Sequence, residues 1–471
     1  MTVQLFRKKG EITVFLALIL SVTLGFICIV FESARSQSIK FQKEVAMDGA
    51  LRSCFGEYHR ELFEKYHLLY IDSSYRVNAA GMENVTDHMA SYMQENLDFE
   101  KEAGTDYFSI EVTDTIPEEY LIASDMDGLP VYKQANNYLK TYGDISHSGQ
   151  IAAIRNEICR MDSDGIFGEW DSSLLRVNSF GVSFINPSEV VRGMASDAAN
   201  QLIGTLRGKL SGMPYGDIPS KRSLNKGNYS KVSKNEEELI FSEYLYQNCG
   251  SFVNPKPDSV LSCEQEYLIY GYTSDEKNLK AVIERLLRIF SKSCLEYTEA
   301  HEEECREYAE MVVPPPPDPE DAIKWFDREA LVDAVSDSLK YAWAEAEAIL
   351  KVNRLLGGGW VSASNPSDDW IIPLYDITFY ASRFGGSGGS GYCYEEFLSA
   401  FLKNMSRKTI CMRFLDLVEV NMRNMGSPGF MADGCIEYMK IKIETTSAFG
   451  YEYSITRDYA YEDEYRNESN A

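Results

Sequence analysis

The sequence has few of the residues and motifs that commonly build catalytic or metal sites. Only five of its 471 residues are histidine, and its ten cysteines include no C-x-x-C pair. Zinc sites usually combine closely spaced cysteine and histidine ligands, so the sequence does not indicate a zinc site. H-E-x-x-H and Walker P-loop motifs are absent as well. Motifs therefore give no support to a metalloprotease or a nucleotide-phosphate site, and we expect no cofactor.

Long apolar runs are also scarce, and only one is long enough to cross a bilayer. It extends from Ile12 to Phe31 and follows the basic residues Arg7, Lys8 and Lys9. Twenty helical residues span roughly 30 Å, the thickness of the bilayer hydrocarbon, whereas the apolar region of a secretory signal is usually about 7–15 residues long. We predict a transmembrane helix at 12–31, a cytoplasmic N-terminus at 1–11 and an extracytoplasmic remainder, anchored in the cell membrane by a single pass.

Basic residues are in the minority. The chain carries 72 acidic and 46 basic residues, a formal charge of −26, and 44% of its residues are hydrophobic. This composition is typical of a folded protein. The negative charge disfavours nucleic acid and anionic lipid surfaces as partners, and favours cationic ones.

The cysteines do not form an obvious disulfide framework. Cys28 lies inside the predicted span, and the other nine are an odd number. A complete set of intrachain disulfides is therefore impossible for these nine. Free thiols and an intermolecular bond both remain open.

Periodicity predicts an α+β fold that is rich in helices. Apolar residues recur every three or four positions from Ala46 to Leu69, which predicts that the transmembrane helix continues into a long amphipathic stem helix at 32–75. We expect small antiparallel sheets, including a C-terminal hairpin. Strand-like segments occur at 108–113, 120–123, 267–272, 370–375, 377–380, 436–444 and 451–456.

A proline-rich connection at 313–319 suggests a division of the extracytoplasmic part. Its five prolines cannot donate backbone hydrogen bonds, so we expect a stiff, extended segment there. The division predicts an α+β part at 76–312 and a second part at 320–471 with long helices and the hairpin. Long helices are predicted at 274–309, from 318–320 to the glycines at 357–359, and at 394–425.

Four segments of the chain carry a resemblance to a known family: 10–20 with 32–35, 264–271 with 278–287, 342–350 with 355–358, and 394–421. Together they resemble a poorly characterised family of membrane-anchored proteins of Gram-positive bacteria, often encoded near the Flp-type tight-adherence (Tad) pilus machinery. The resemblance implies an anchored extracytoplasmic protein with a domain of unknown function and no catalytic residues. It also implies pilus assembly proteins or pseudopilins as partners.

The N-terminus also resembles a class III prepilin-type leader of the TadE/TadG kind, which implies processing at Gly10 and Glu11. In that group a Glu normally lies five residues after the cleaved Gly, but position 15 here is Phe. Uncleaved anchoring is the favoured interpretation. Cleavage after Gly10 and removal of a signal peptide are the alternatives.

Several patterns suggest chemistry that a simpler interpretation also explains. The loop 386–391 fits the G-x-G-x-x-G motif of dinucleotide sites but, with its Gly and Ser repeat, is better explained as a flexible connector, so we expect no nucleotide. Two S-x-x-K matches, at Ser223 and Ser274, suit penicillin-binding enzymes, although Ser274 fits a helix N-cap better.

Acidic and aromatic residues have similar alternatives. Asp125 with Asp127, Glu302–Glu304, and Asp368 with Asp369 could bind calcium or act as acid and base, but clustered acids on so negative a chain are usually solvated surface. The many aromatics, among them Trp325, Trp343 and Trp370, are more often core than carbohydrate-binding surface.

The preferred hypothesis is a non-enzymatic structural or accessory component of a Tad-type pilus or related surface assembly. The alternative is an anchored hydrolase of the cell wall or of an exported polymer, with a carboxylate pair in a cleft.

Overall fold

The fold is α+β, as predicted, with many helices and one small antiparallel sheet. The computed structural model describes residues 2–76, 79–102, 108–143, 148–162, 165–210, 227–229, 241–315, 326–362, 367, 369–380, 388–447, 450–462 and 465, without the side chains of 2–11, 99–102 and 148.

Helices form most of the described chain. In order they are α1 (Thr2–Gly56), α2 (Arg60–Tyr66), α3 (Met82–Glu102), α4 (Asp125–Tyr142), α5 (Ser148–Met161), α6 (Phe167–Asn178), α7 (Pro187–Ala195), α8 (Ala198–Leu206), α9 (Phe241–Asn248), α10 (Glu264–Tyr270), α11 (Asp275–Ala300), α12 (Glu302–Val312), α13 (Arg328–Leu356), α14 (Ile377–Tyr380), α15 (Tyr394–Lys403) and α16 (Arg407–Asn424).

The sheet is built around the C-terminal hairpin. Strand β3 pairs antiparallel with β2, with β4 and, near its beginning, with the two-residue β1. The hairpin of β3 and β4 confirms the prediction. The segments predicted as separate strands at 108–113 and 120–123 are instead joined in β2, which carries three register irregularities along its length. The strands are β1 (Ile71–Asp72), β2 (Glu111–Ile122), β3 (Cys435–Thr446) and β4 (Glu452–Ala460).

The N-terminal helix α1 is continuous for 55 residues. No proline occurs in it, so its hydrogen-bond ladder is not interrupted. Its large apolar side chains from Ile12 to Phe31 are exposed, and an apolar window of α1 has none of its residues buried inside the fold. By length and composition α1 is a candidate membrane span, the one such helix in the described chain.

The outer half of α1 belongs to the folded head. Buried residues recur at Ile39, Lys43, Met47, Ala50 and Cys54, spacings of three and four that place them on one helical face. They pack with α3 and with the sheet in a core of their own. The sequence therefore predicted the amphipathic stem correctly.

The stem helix ends earlier than the predicted residue 75. It stops at Gly56, and a new helix starts after His59, whose imidazole Nδ1 accepts a hydrogen bond from Leu62 N–H at 3.2 Å. The chain then turns into β1, where Ile71 pairs with Ile436. The helix ends here because His59 caps the next helix and β1 pairs with a strand that is distant in the sequence. The spacing of apolar residues indicates neither of these features.

The main core surrounds α13, which has buried residues on all sides. It packs against α6, α7, α11 and α12. This core includes residues from both sides of 313–319, for example Leu286 and Val335. Residues 316–319 lie outside the described part of the chain, and the division into two parts at this connection stays a prediction.

Three predicted strands are wrong. Residues 267–272 lie mostly in α10, because a short apolar run also suits a buried helix. Residues 370–375 have no strand partner in the described chain. They are irregular and then form a 3-10 turn at Leu374–Asp376, while 377–380 are helix α14. The irregular backbone is satisfied by α13, since the Glu347 carboxylate accepts a hydrogen bond from Ile372 N–H at 2.9 Å and the Trp343 indole donates to its carbonyl at 2.7 Å.

Several helix boundaries also differ from the prediction. The helix predicted at 274–309 is divided at His301, and the one predicted at 394–425 is divided before Ser406, which caps α16 by accepting a hydrogen bond from Thr409 N–H. Helix α13 begins at Arg328, later than predicted, but it ends at Leu356, directly before the glycines at 357–359, as predicted. Helices α6, α7 and α8 were not predicted.

The packing of α1 into the head gives a matched pair of substitutions. Met47 is fully buried in the stem core, whereas Val45, two residues away, is 55% exposed. We expect Met47→Ala to lower the free energy of unfolding of the head by about 2–5 kcal/mol, and Val45→Ala to change it by less than about 0.5 kcal/mol. Chemical denaturation followed by tryptophan fluorescence measures both. Equal effects of the two substitutions would contradict the described packing.

Candidate functional site

A polar cleft lies where three distant parts of the chain meet. Its volume is about 390 Å³. One wall comes from the end of α9 and the loop after it, the second from the segment after α13, and the third from the start of α15. It is lined by Tyr246, Gln247, Cys249, Val253, Asn254, Lys256, Gln265, Gly358, Gly359, Trp360, Cys393, Tyr394 and Glu395.

The loop after α9 is held in place by two buried carboxylates of α10. Glu264 accepts a hydrogen bond from Gly250 N–H at 2.7 Å, and Glu266 accepts one from Phe252 N–H at 2.9 Å. An irregular buried loop cannot satisfy its own N–H groups, so acceptors from elsewhere are required. The two glutamates fix the first wall.

Gln265, between these two glutamates, lines the cleft. It is 1% exposed, and its side-chain amide donates to the carbonyl of Cys249 at 2.9 Å. Among the residues that the structure describes, its Oε1 has no hydrogen-bond partner. A buried polar atom without a hydrogen bond costs about 1–3 kcal/mol. The hydrogen bond to Cys249 therefore does not by itself explain the orientation of the Gln265 side chain, which the surrounding structure must hold in place.

The third wall is tied to the first through Glu266. The Tyr394 hydroxyl donates to Glu266 Oε1 at 2.8 Å, and the Ser251 hydroxyl donates to Glu395 Oε1 at 3.1 Å. Burial raises the pKa of Glu266 to about 7, although the hydrogen bonds from Phe252 N–H and from the Tyr394 hydroxyl act in the opposite direction. The Glu266 carboxyl group, which lies beneath the cleft, therefore titrates near neutral pH.

The second wall depends on a close contact between two backbones. Trp360 N–H donates to the carbonyl of Gly388 at 3.1 Å, and Val361 and Tyr392 exchange two hydrogen bonds at 2.9 and 3.0 Å. A Cβ on Gly389 would lie 2.0 Å from the Trp360 carbonyl oxygen. The glycines at 388–391, interpreted from sequence as part of a flexible connector, are therefore docked on 360–361. Residues 386 and 387 of that motif lie outside the described residues.

The cleft combines an aromatic surface with a few charged groups. Trp360 is 53% exposed. Lys256 is half-buried, and it forms no ion pair within the described parts of the chain. Burial, together with the nearby carboxylates of Glu396 and Glu395, raises the pKa of the Cys393 thiol to about 12, so this cysteine is protonated at neutral pH and is a poor nucleophile.

Among the described residues, the acidic groups predicted from sequence do not come together in a cleft. The Asp125 carboxylate accepts hydrogen bonds from Ile122 and Gly227 N–H, and Asp127 pairs with Lys408 at 2.9 Å. Residues 125–128 form a turn, as predicted, since 126–128 all have positive φ. Glu302 pairs with Lys340 at 3.3 Å.

Of the two neighbouring aspartates at 368 and 369, one forms a buried ion pair and the other lies outside the described residues. Asp369 is buried, and its carboxylate pairs with Lys351 Nζ at 2.6 Å. Asp368 is not among the described residues. Within the described ranges, no group of three His, Cys, Asp or Glu side chains is arranged to hold a metal ion.

The remaining sequence candidates have simple structural positions. Ser274 is the N-cap residue of α11, although its side chain makes no capping hydrogen bond, and Ser223 lies outside the described residues. Trp343 and Trp370 pack against each other, and Trp325 is not described. No disulfide joins two of the ten cysteines within the described chain. Gly10 and Glu11 lie within α1, and processing there stays a prediction.

Sequence reasoning did not identify the cleft or Trp360. It did single out the segments 264–271, 355–358 and 394–421, and parts of each lie at or beside the cleft. Their convergence was not visible because it depends on hydrogen bonds between residues more than a hundred positions apart, such as Tyr394 with Glu266.

The architecture defines a class of protein: a folded α+β head on a long helix whose residues 12–31 are mostly apolar and exposed. Residues 185–447, more than half of the chain, match the model of DUF5702, a family of unknown function, and the chain belongs to that family. The matched region includes the whole cleft. Comparisons with curated proteins and with solved structures give no match.

The glycine contact at the cleft can be tested with two neighbouring positions of similar backbone. Gly388 and Gly389 have φ of +104° and +102°, but a Cβ on Gly388 would meet no atom within 4 Å. Both alanine substitutions carry the strain of a positive φ, and only Gly389→Ala adds a clash with backbone. We expect Gly389→Ala to lower the free energy of unfolding by about 1–3 kcal/mol more than Gly388→Ala, measured by chemical denaturation. Similar losses for both would contradict the docked loop.

The raised pKa of Glu266 predicts a specific dependence on pH. In the folded chain Glu266 holds its proton up to about pH 7, whereas in the unfolded chain it releases it near 4.5. Its contribution to stability is therefore complete below pH 4.5 and is lost as the pH rises through 7. Gln cannot ionise, and its Oε1 can still accept from Phe252 and Tyr394. Relative to wild type, the free energy of unfolding of Glu266→Gln should rise by about 1–3 kcal/mol between pH 5 and pH 8.

The control for this measurement is Glu303→Gln, which changes an exposed carboxylate on α12. Denaturation at both pH values should show the same difference from wild type for this variant. If Glu266→Gln also shows no change with pH, Glu266 does not titrate as described.

Proposed function

We propose that this protein is a single-pass, membrane-anchored extracytoplasmic protein without catalytic activity, which acts as a structural or accessory component of a Tad-type pilus or a related surface assembly. The main observation in support is the continuity of α1, whose apolar half is exposed and whose outer half is buried in the head. A head attached this way is held at a fixed orientation to the bilayer. Such rigid display suits a protein that presents a surface to partners.

The orientation rests on the charges before the span. Arg7, Lys8 and Lys9 precede the apolar run, and positive residues are usually retained on the cytoplasmic side. The head, which begins on the other side of the span, is then extracytoplasmic. The link to a pilus rests on the resemblance of the four sequence segments and of the leader to proteins of that machinery.

The stem also offers a surface to a partner outside the membrane. Phe41 and Val45 are 68% and 55% exposed, one helical turn apart, beyond the predicted span. Large apolar side chains on an otherwise polar stem suit contact with another apolar helix. We assign this surface to a pseudopilin or assembly protein of the same membrane.

The carboxylates near the cleft favour a structural role over hydrolysis. Glu264 and Glu266 already accept hydrogen bonds from backbone N–H groups, and Glu395 accepts from Ser251. A glycosidase-type pair needs one carboxyl group to protonate the leaving group and the other to attack or to activate water. Groups that hold the fold are poorly suited to these tasks.

Co-purification from membranes tests the proposal. The native protein, crosslinked in cells and extracted in detergent, should recover pilus or pseudopilin subunits. Phe41→Asp with Val45→Asp should reduce this recovery by about tenfold because the charges oppose apolar contact. Lys40→Ala, an exposed change on the same stem, is the matched control and should recover as much as wild type. Recovery of no pilus component with the wild-type protein would refute the pilus assignment.

A further inference from the structure

The cleft has the features of a binding site that the anchoring role does not explain. Trp360 lines it and is 53% exposed, although a large aromatic side chain on a monomer is more often buried. The groups around it are mainly polar. The proposed anchoring role does not account for this combination.

The walls of the cleft are formed before any ligand arrives. Glu264 and Glu266 fix the loop after α9, Tyr394 ties the start of α15 to Glu266, and the glycines at 388–391 hold Trp360 in place. Preformed sites lose less conformational entropy when a ligand binds. The three walls also come from separate elements, which fixes the spacing between the aromatic surface and the polar groups.

The chemistry of the lining selects one class of ligand. An aromatic ring packs well against a flat face of C–H groups, while amide and charged side chains bond to hydroxyl groups at the edge of such a face. In the cleft, the aromatic surface comes from Trp360 and Tyr246. The polar groups that can bond to hydroxyls come from Asn254, Lys256 and Glu395. Sugar rings have both features. The cleft is too polar to suit a lipid chain.

We propose that the Trp360 cleft is a saccharide-binding site. Lys256 supports this assignment further, because in a chain of charge −26 it remains without an ion pair among the described residues. It can donate hydrogen bonds to hydroxyl or carboxylate oxygens of a sugar. Trp360 supplies the stacking surface, and Glu395 accepts from hydroxyl groups through the oxygen that does not bond to Ser251.

Titration calorimetry of the full-length protein in detergent tests the proposal with three trisaccharides of different chemistry: cellotriose, tri-N-acetylchitotriose and trigalacturonic acid. We expect at least one to bind with a Kd of about 1 mM or tighter, and Trp360→Ala to weaken that binding by about tenfold or more. Tyr375→Ala is the matched control, since it removes an aromatic side chain that is 57% exposed and does not line the cleft. It should leave the Kd unchanged.

Lys256→Met indicates which sugar the site prefers. If trigalacturonic acid is the ligand, this substitution should weaken its binding by about tenfold because the charge on Lys256 is lost. Denaturation midpoints of all variants confirm that they are folded. The proposal is overturned if none of the three trisaccharides binds at about 10 mM, or if Trp360→Ala binds as wild type does. It is also overturned if trialanine binds more tightly than every trisaccharide in a Trp360-dependent way.

Discussion

The continuity of one helix constrains everything else in this molecule. Helix α1 leaves the apolar N-terminal region and enters the core of the head without a break, so the two halves cannot rotate independently. Residues such as Met47 and Ala50 are as deeply buried as any in the head. Force or orientation imposed on the apolar end of α1 is therefore transmitted directly to the sheet and to α3, which pack on this helix.

A second constraint is the use of buried carboxylates to hold irregular backbone. Glu264 and Glu266 do this for the loop after α9, Glu347 for the segment before α14, and Glu419 for Ala432 near the start of β3. Backbone N–H groups in buried loops need acceptors, and a carboxylate is a strong one. The cost is desolvation, which raises the pKa of Glu266 and of Glu345 to about 7. The head thus depends on acidic residues that an inspection of the sequence would assign to its surface.

The parts of the fold that the sequence predicted are those set by local pattern. The helix through the apolar run at 12–31, its amphipathic continuation and the β3–β4 hairpin all follow from local pattern and are all present, although the helix ends at Gly56 and not at the predicted residue 75. The wrong predictions concern segments whose backbone conformation is determined by hydrogen bonds to residues distant in the sequence. Residues 370–375 look like a strand but bond to Glu347 and Trp343 instead.

The candidate site was hidden from the sequence for the same reason. The closely spaced acidic residues that stand out in the sequence, such as Asp125 and Asp127, do not line the cleft. Both lie in a turn, and Asp127 also forms an ion pair. Trp360 and Lys256 carry no motif and are about a hundred residues apart. Only the folded chain brings them to one cleft, with Gln265 between the carboxylates that shape it.

The rigidity of the connection between the candidate membrane span and the head can be measured directly by pulsed electron resonance. One nitroxide label goes on Cys28, which is exposed, and the other on Arg52→Cys, in a Cys159→Ser, Cys393→Ser background in lipid nanodiscs. An unbroken helix places these positions about 36 Å apart, so a narrow distance distribution near that value is expected. A broad distribution, or one centred at a clearly shorter distance, would show that the stem bends between bilayer and head and would contradict the account.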